Sequence, residues 1–162
     1  NDPIVLVHAR ALMISNPAGR SEYISADMRD VDSILRDRVL SETLDLTKPI
    51  GLTLIAILML LADADDPWAS VAALRDAMPS GSCLAITHPT ADFNPDEVNA
   101  AVDAATAAGM TLVARTREAV ERFFGDWEIL EPGRTPVSAW RPDEPIDNPK
   151  AAYYWAGVAR KP

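Results

Sequence analysis

Two places in the sequence combine residue types that could do chemistry with a position at the end of a predicted strand. Asp27 and Met28 follow the short segment Ser21–Ala26, in which polar and apolar residues partly alternate. A strand-end carboxylate beside an apolar side chain suits a flat heterocycle with a polar edge, although Asp27 could instead cap the turn. His88 follows the apolar segment Cys83–Thr87 and could act as a general base or contact a substrate. A loop histidine without a catalytic role is the alternative.

The apolar run inside Pro49–Trp68 is the feature around which the other elements are arranged. Its residues from Ile50 to Leu61 are nearly all apolar and do not alternate, which is typical of a strand covered on both faces. The run is too short for a membrane span of about 20 residues, whereas a buried helix remains possible. We therefore predict a central, nearly fully buried strand over Ile50–Met59. Because ligands lie just outside the carboxyl ends of such strands, candidate binding residues are Ile57, Leu58 and Met59.

Three aspartates, Asp63, Asp65 and Asp66, follow this run. Closely spaced carboxylates could hold a divalent cation, but on a short loop they are more typical of a solvated turn. The pair Asp66-Pro67 has the pattern of a helix N-cap followed by proline in the first turn. We predict a helix over Pro67–Met78 and no metal site.

The remaining segments alternate between helical and strand patterns. Asp2, Asp30 and Asn94 are candidate N-caps, and apolar residues recur every three or four positions after them. We predict helices from Asp2, over 31–40, over 95–108 and over 116–124, and two last strands over 127–130 and 154–159. Alternation followed by a final strand pair indicates an α/β fold, with a mostly parallel sheet and an antiparallel final strand.

Composition limits the classes of function. The 162 residues predict a single domain over 1–162, and a net charge of −9 argues against nucleic acid or an anionic membrane as a partner. The one cysteine, Cys83, excludes an internal disulfide. No signal peptide is visible, so a cytoplasmic location is expected. The sequence does not indicate an oligomeric state.

Several segments match a known family in order along the whole chain. They are NDPIVLVHARAL, ADMRD, LDLTKPIGLTLIAIL, DADDPW, LRDAMPSGS and EPGRTPV. Together they resemble a family of bacterial S-adenosylmethionine-dependent methyltransferases that was long described as a domain of unknown function. The resemblance implies the Rossmann-like class I methyltransferase fold, with S-adenosylmethionine or S-adenosylhomocysteine as cofactor. Family members carry a further segment ahead of the position of Asn1, which holds the first two strands and the glycine-rich loop. We therefore expect the chain to be the carboxyl-terminal two-thirds of the domain.

The resemblance also implies roles for particular residues. Asn1 and Asp2 would follow the ribose-binding acid, with Asn1 near the adenine edge, although Asp2 is also typical of a helix cap. Asp27 would accept a hydrogen bond from the adenine amine, and the backbone N–H of Met28 would meet a ring nitrogen.

The segment after the apolar run would contact the cofactor as well. The family places backbone and apolar contacts at Ile57, Leu58 and Met59, but many relatives carry histidine at the position of Met59. Methyl transfer often needs only alignment of the reactants, so this departure does not exclude activity. Three aromatic residues could line a substrate pocket or belong to the core: Trp140, Tyr153 and Tyr154.

Three functions are consistent with these residues. The first is methyl transfer from S-adenosylmethionine to a small molecule, with His88 as the candidate catalytic residue. The second is a non-catalytic module of the same fold that binds the cofactor or a partner, which Met59 suggests. The third is an NAD-dependent oxidoreductase, which shares the architecture but is disfavoured by the antiparallel final strand.

Overall fold

The computed structural model describes residues 4, 7, 8 and 19–162 of the chain. The candidate binding residues Asn1 and Asp2 lie outside the described residues. Most of the helix predicted from Asp2 also lies outside them, while Ile4, Val7 and His8 within it are helical.

A mixed sheet of five strands forms the centre of the described part of the chain. The strand order is β1-β2-β5-β3, and β4 pairs with β5. Strands β1 and β2 are parallel, while β5 is antiparallel to its three neighbours, so four strands run one way and β5 runs against them. This confirms the predicted α/β fold with an antiparallel final strand. The strands are β1 (Gly51–Ile55), β2 (Cys83–Pro89), β3 (Glu128–Ile129), β4 (Thr135–Pro136) and β5 (Tyr154–Arg160).

The helices begin where the sequence predicts caps. Four cap side chains each accept a hydrogen bond from the backbone N–H three residues ahead, which satisfies one free donor of the first turn. These caps are Asp30, Asp66, Asn94 and Thr116. The helices are α1 (Val31–Arg36), α2 (Arg38–Thr43), α3 (Pro67–Asp76), α4 (Pro95–Ala107) and α5 (Arg117–Glu121).

Two predicted elements differ from the structure. The helix expected over 31–40 is divided into α1 and α2, because Asp37 has extended backbone angles and caps the second helix through the N–H of Val39. The segment Ser21–Ala26 is not a strand of the sheet, since no strand among the described residues makes ladder hydrogen bonds with it.

The prediction that Ile50–Met59 is a central strand buried on both faces is wrong. Strand β1 lies at the edge of the described sheet and ends at Ile55, and Leu54 is 6% exposed while Ile55 is 57% exposed. The strand ends because Ala56, whose N–H makes the last hydrogen bond to the carbonyl of Thr87 in β2, has a left-handed φ of 51°. The chain then forms short 3₁₀ turns at Leu58–Leu60 and Asp63–Asp65.

The core packs against one face of this sheet. Val71 and Leu74 of α3 are buried, as is Met78 just after the helix. Residues from β1, β2, α3, and the segment from α5 to Trp127 form one cluster, which includes Leu84, Ile86, Phe123 and Phe124. None of the helices that the structure describes is both long enough and apolar enough to cross a membrane.

Candidate functional site

A cleft of about 520 Å³ lies beside the turn that follows β1. We call it the Asp27 cleft. Its walls come from the segment before α1, from α1 itself and from the turn after β1, and they include Asp27, Met28, Arg29, Ile57 and Leu60. The structure thus brings together three of the residues selected from the sequence, Asp27, Met28 and Ile57, although they come from two distant segments. The Asp27 cleft lies at the carboxyl end of β1, where ligands of open α/β sheets bind.

The side of the cleft formed by the turn after β1 is apolar. Ile57 and Leu60 are 40% and 50% exposed, because the turn directs them away from the core while Leu58 and Leu61 are buried. Large apolar side chains exposed next to a carboxylate form a surface that suits a planar heterocycle with a polar edge.

The three predicted residues of this turn have different positions. Ile57 lines the cleft, whereas Leu58 is fully buried and its carbonyl accepts a hydrogen bond from Arg115. A contact between Leu58 and a cofactor would therefore have to come from its backbone, and its cofactor-binding role stays a prediction. Met59 is half-buried, its carbonyl accepts from the N–H of Val113, and its sulfur lies 3.7 Å from the Tyr154 hydroxyl.

Asp27 is held by its neighbour Arg29. The backbone N–H of Arg29 donates to Oδ1 at 2.9 Å, and Nη2 donates to Oδ2 at 2.6 Å. Hydrogen bonds from the Arg29 side chain, and then from its backbone, lower the pKa of Asp27 to about 2. The carboxylate is therefore ionised at neutral pH. The Nε of Arg29 also contacts both oxygens, so three donors of one residue already surround the carboxylate. An adenine amine would have to share Asp27 with Arg29 or displace one of these hydrogen bonds, and the adenine role of Asp27 stays a prediction.

His88 lies inside the protein instead of at an accessible site. Its ring is fully buried, Nδ1 lies 2.9 Å from the Pro89 carbonyl, and Nε2 lies 2.8 Å from Arg115 Nη1. An arginine can only donate, so Nε2 accepts and the protonated Nδ1 donates. Burial lowers the pKa of His88 to about 4, and the positive charge of Arg115 acts in the same direction. A neutral ring with both nitrogens bonded and no solvent exposure does not support the predicted general-base role.

Arg115 is a residue of this region that sequence reasoning missed. It is almost fully buried, its Nη1 donates to the Leu58 carbonyl at 3.0 Å, and its Nη2 donates to the Leu61 carbonyl at 2.9 Å. The same Nη2 lies 2.6 Å from the carboxylate of Asp63. Arg115 thus fixes the turn that forms one side of the cleft. It lies in an irregular segment, where no motif or spacing distinguishes it.

The three aspartates after β1 each have a separate partner. Asp63 pairs with Arg115, Asp65 accepts from the N–H of Ala62 at 2.9 Å, and Asp66 caps α3 as predicted. Their carboxylates stabilise the turn and the start of the helix.

A second cavity, of about 270 Å³, lies between α4, the end of β2 and the start of β5. We call it the tyrosine cavity because Tyr153 and Tyr154 line it, as the sequence suggested; Trp140 is not among its lining residues. The hydroxyl of Tyr153 donates to Glu97 at 2.5 Å. The other lining side chains are mostly apolar, and they include Val98, Val102, Leu112 and Ala114.

A mixed sheet with one antiparallel strand, and cavities at the carboxyl end of its parallel strands, place this chain in the Rossmann-like class of α/β domains. The chain belongs to the S-adenosyl methyltransferase family, whose model matches residues 1–162. This match confirms the resemblance to bacterial methyltransferases that the sequence segments indicate.

Two solved structures resemble the chain closely. A DUF574 family protein from Streptomyces avermitilis is 40% identical, with a TM-score of 0.91, and the match covers 100% of this chain and 63% of that one. A "putative methyltransferase" from Thermobifida fusca is 35% identical, with a TM-score of 0.85, covering 99% of this chain and 60% of that one. The chain thus spans somewhat less than two thirds of the length of these relatives. No curated protein matches it.

Proposed function

We propose that this chain carries the adenine side of the cofactor site in a methyltransferase that uses S-adenosylmethionine and acts on a small molecule. The observation that carries the proposal is the convergence of Asp27, Met28 and Ile57 on one cleft with an apolar side and an ionised carboxylate. Membership of the S-adenosyl methyltransferase family supports it.

The residues of the cleft fit an adenine ring. Ile57 and Leu60 offer an apolar surface for its face, and the Met28 backbone N–H would donate to a ring nitrogen. Asp27 would accept from its amine in competition with the donors of Arg29. When bound, S-adenosylmethionine supplies a methyl carbon on a positively charged sulfur; an acceptor lone pair bonds to that carbon while the carbon–sulfur pair stays on sulfur. The contribution of these residues is orientation and exclusion of water, and alignment alone accounts for much of the rate of such transfers.

A non-catalytic cofactor-binding module remains the second candidate. Two features favour this module. The resemblance implies histidine in many relatives at the position of Met59, and His88 is buried, so neither position offers an accessible histidine here. The family offers no support for the NAD-dependent alternative. A cytoplasmic location stays a prediction from the sequence.

Calorimetric titration of the intact protein with S-adenosylhomocysteine and with NAD tests the cofactor assignment. We expect saturable binding of S-adenosylhomocysteine only, and Asp27→Ala should weaken it by about 1–3 kcal/mol, the cost of losing a hydrogen bond to a charged group. Asp32→Ala is the matched control, because Asp32 is an exposed carboxylate on α1 outside the cleft. Unchanged affinity in Asp27→Ala together with a lowered melting temperature would show that Asp27 is only a turn cap.

Catalysis needs a separate measurement. The intact protein should transfer label from methyl-tritiated S-adenosylmethionine to a component of a low-molecular-weight cell extract, and Asp27→Ala should slow that transfer at limiting cofactor. Tight S-adenosylhomocysteine binding without any labelled product would favour the non-catalytic module.

A further inference from the structure

The tyrosine cavity has the size and lining of a binding site for a small apolar group. Its volume of about 270 Å³ exceeds the roughly 150 Å³ of a protein cavity that holds benzene. Val98, Val102, Leu112 and Ala114 supply aliphatic surface from α4 and from the segment before α5. The cavity therefore suits a ring or a short branched chain.

One polar pair interrupts this apolar lining. The Tyr153 hydroxyl donates to the Glu97 carboxylate, which raises the pKa of Tyr153. Glu97 retains further acceptor positions, since a carboxylate accepts about four hydrogen bonds. A ligand in the cavity would therefore be oriented by a hydroxyl or amino group that donates to Glu97.

The backbone around Tyr153 is held in an unfavourable conformation. Tyr153 has a left-handed φ of 52°, which is uncommon for a bulky residue. Its N–H donates to the Lys150 carbonyl at 3.2 Å, and its carbonyl accepts from the N–H of Thr90 at 2.9 Å. Such strained residues occur disproportionately at ligand sites. Here the two hydrogen bonds fix the ring in the cavity wall.

Two residues connect the tyrosine cavity to the Asp27 cleft. Tyr154 lines the tyrosine cavity and its hydroxyl contacts the sulfur of Met59, while Leu60, the next residue, lines the cleft. The two cavities therefore lie on either side of one turn, at the same end of the parallel strands.

We propose that the tyrosine cavity binds the methyl acceptor, and that this acceptor is a small molecule with an apolar ring or branched body and a hydroxyl or amino donor directed at Glu97. This assignment of a substrate class rests on the proposed function. Met59 and Tyr154 lie at the boundary between the tyrosine cavity and the Asp27 cleft, where the acceptor and the cofactor would meet.

Binding of p-cresol to the intact protein, measured by ligand-observed NMR with S-adenosylhomocysteine present, tests the proposal. The comparison probe is 4-methylanisole, which has the same ring without the donor. We expect p-cresol to bind at least tenfold more tightly, because one hydrogen bond to a charged group is worth about 1.5–3 kcal/mol and each 1.4 kcal/mol is tenfold. Glu97→Gln should reduce this preference to about fivefold or less, since a neutral hydrogen bond is worth about 1 kcal/mol.

Two substitutions on α4 form a matched pair. Ala101→Leu adds bulk to the lining of the cavity and should weaken p-cresol binding at least tenfold, whereas Ala104→Leu is exposed on the same helix outside the lining and should not. Absence of saturable p-cresol binding, or equal affinities in the two variants, would overturn the proposal.

The same samples separate this proposal from the proposed function. Both Ala101→Leu and Ala104→Leu should retain the affinity of the unmodified protein for S-adenosylhomocysteine. Normal binding of S-adenosylhomocysteine with no p-cresol site refutes the acceptor assignment alone. Loss of S-adenosylhomocysteine binding in the unmodified protein refutes the proposed function, and with it the acceptor role of the cavity.

Discussion

Acidification should destabilise this protein through the protonation of one residue, His88. In the folded state its Nε2 accepts a hydrogen bond from Arg115 inside the core. A proton on Nε2 would replace this bond by two donors facing each other and would place a second positive charge beside the guanidinium. Asp63, on the far side of Arg115, is the nearest negative charge in this group of contacts.

The magnitude follows from the difference between the two pKa values. Burial, aided by Arg115, lowers the pKa of His88 to about 4 in the folded state, against 6.5 for an ordinary histidine. Between these values the unfolded chain binds a proton that the folded protein does not, so the free energy of unfolding falls as the pH is lowered through this window. At 1.36 kcal/mol per pKa unit the loss approaches about 3 kcal/mol near pH 4.

Urea denaturation of the intact protein between pH 7 and pH 4 measures this effect. His88→Gln keeps a donor and an acceptor but cannot titrate, so its free energy of unfolding should fall less steeply than that of the unmodified protein. His8→Gln is the matched control, because His8 is the other histidine of the chain and is exposed. Parallel pH profiles for His88→Gln and the unmodified protein would refute the assignment of a buried neutral His88.

Four further substitutions test the packing and the cleft. Leu54→Ala should cost about 2–5 kcal/mol of unfolding free energy and Ile55→Ala less than about 1 kcal/mol, and similar losses in chemical denaturation would contradict the one-sided burial of β1. Gly125→Ala should cost about 1–3 kcal/mol, because Gly125 has a φ of 58° and its added Cβ would clash with Arg75, and an unchanged melting temperature would argue against this strain. Leu60→Ala should weaken S-adenosylhomocysteine binding about fivefold in calorimetry, from roughly 1 kcal/mol of lost apolar contact, with little change in stability.

Local chemistry explains which parts of the fold are predictable from the sequence. The starts of α3 and α4 follow from the caps Asp66 and Asn94 and the prolines after them, all within four residues of the helix start. The end of β1 depends instead on the left-handed backbone of Ala56, with a φ of 51°, which a non-glycine residue seldom adopts. Neither the alanine nor the continuous apolar run around it indicates this conformation, so the predicted strand was too long.

The residues of the candidate site also differ in whether the sequence alone predicts their positions. Ile57 is selected because ligands bind beyond the carboxyl ends of strands, and β1 does end just before it. The same reasoning selects Asp27 and Met28 from a wrong premise, since Ser21–Ala26 is not a strand of the sheet. A position at a strand end does not distinguish Ile57 from Leu58, since the direction of each side chain is decided by a 3₁₀ turn that Arg115 stabilises from 57 residues away. For the same reason His88 resembles an accessible histidine in the sequence, while in the structure Arg115 binds it in the core.

The contacts of Arg115 also bear on the effect of methionine at position 59, where the resemblance implies histidine in many relatives. Arg115 holds the turn through the carbonyls of Leu58 and Leu61, so the apolar side of the Asp27 cleft is formed before any ligand binds. Preformed sites avoid the entropy cost of ordering a loop on binding. The side chain of Met59 takes no part in these contacts and faces Tyr154 instead. We propose that methionine at this position, in place of that histidine, alters the side of the turn that faces the tyrosine cavity and so bears on the choice of methyl acceptor.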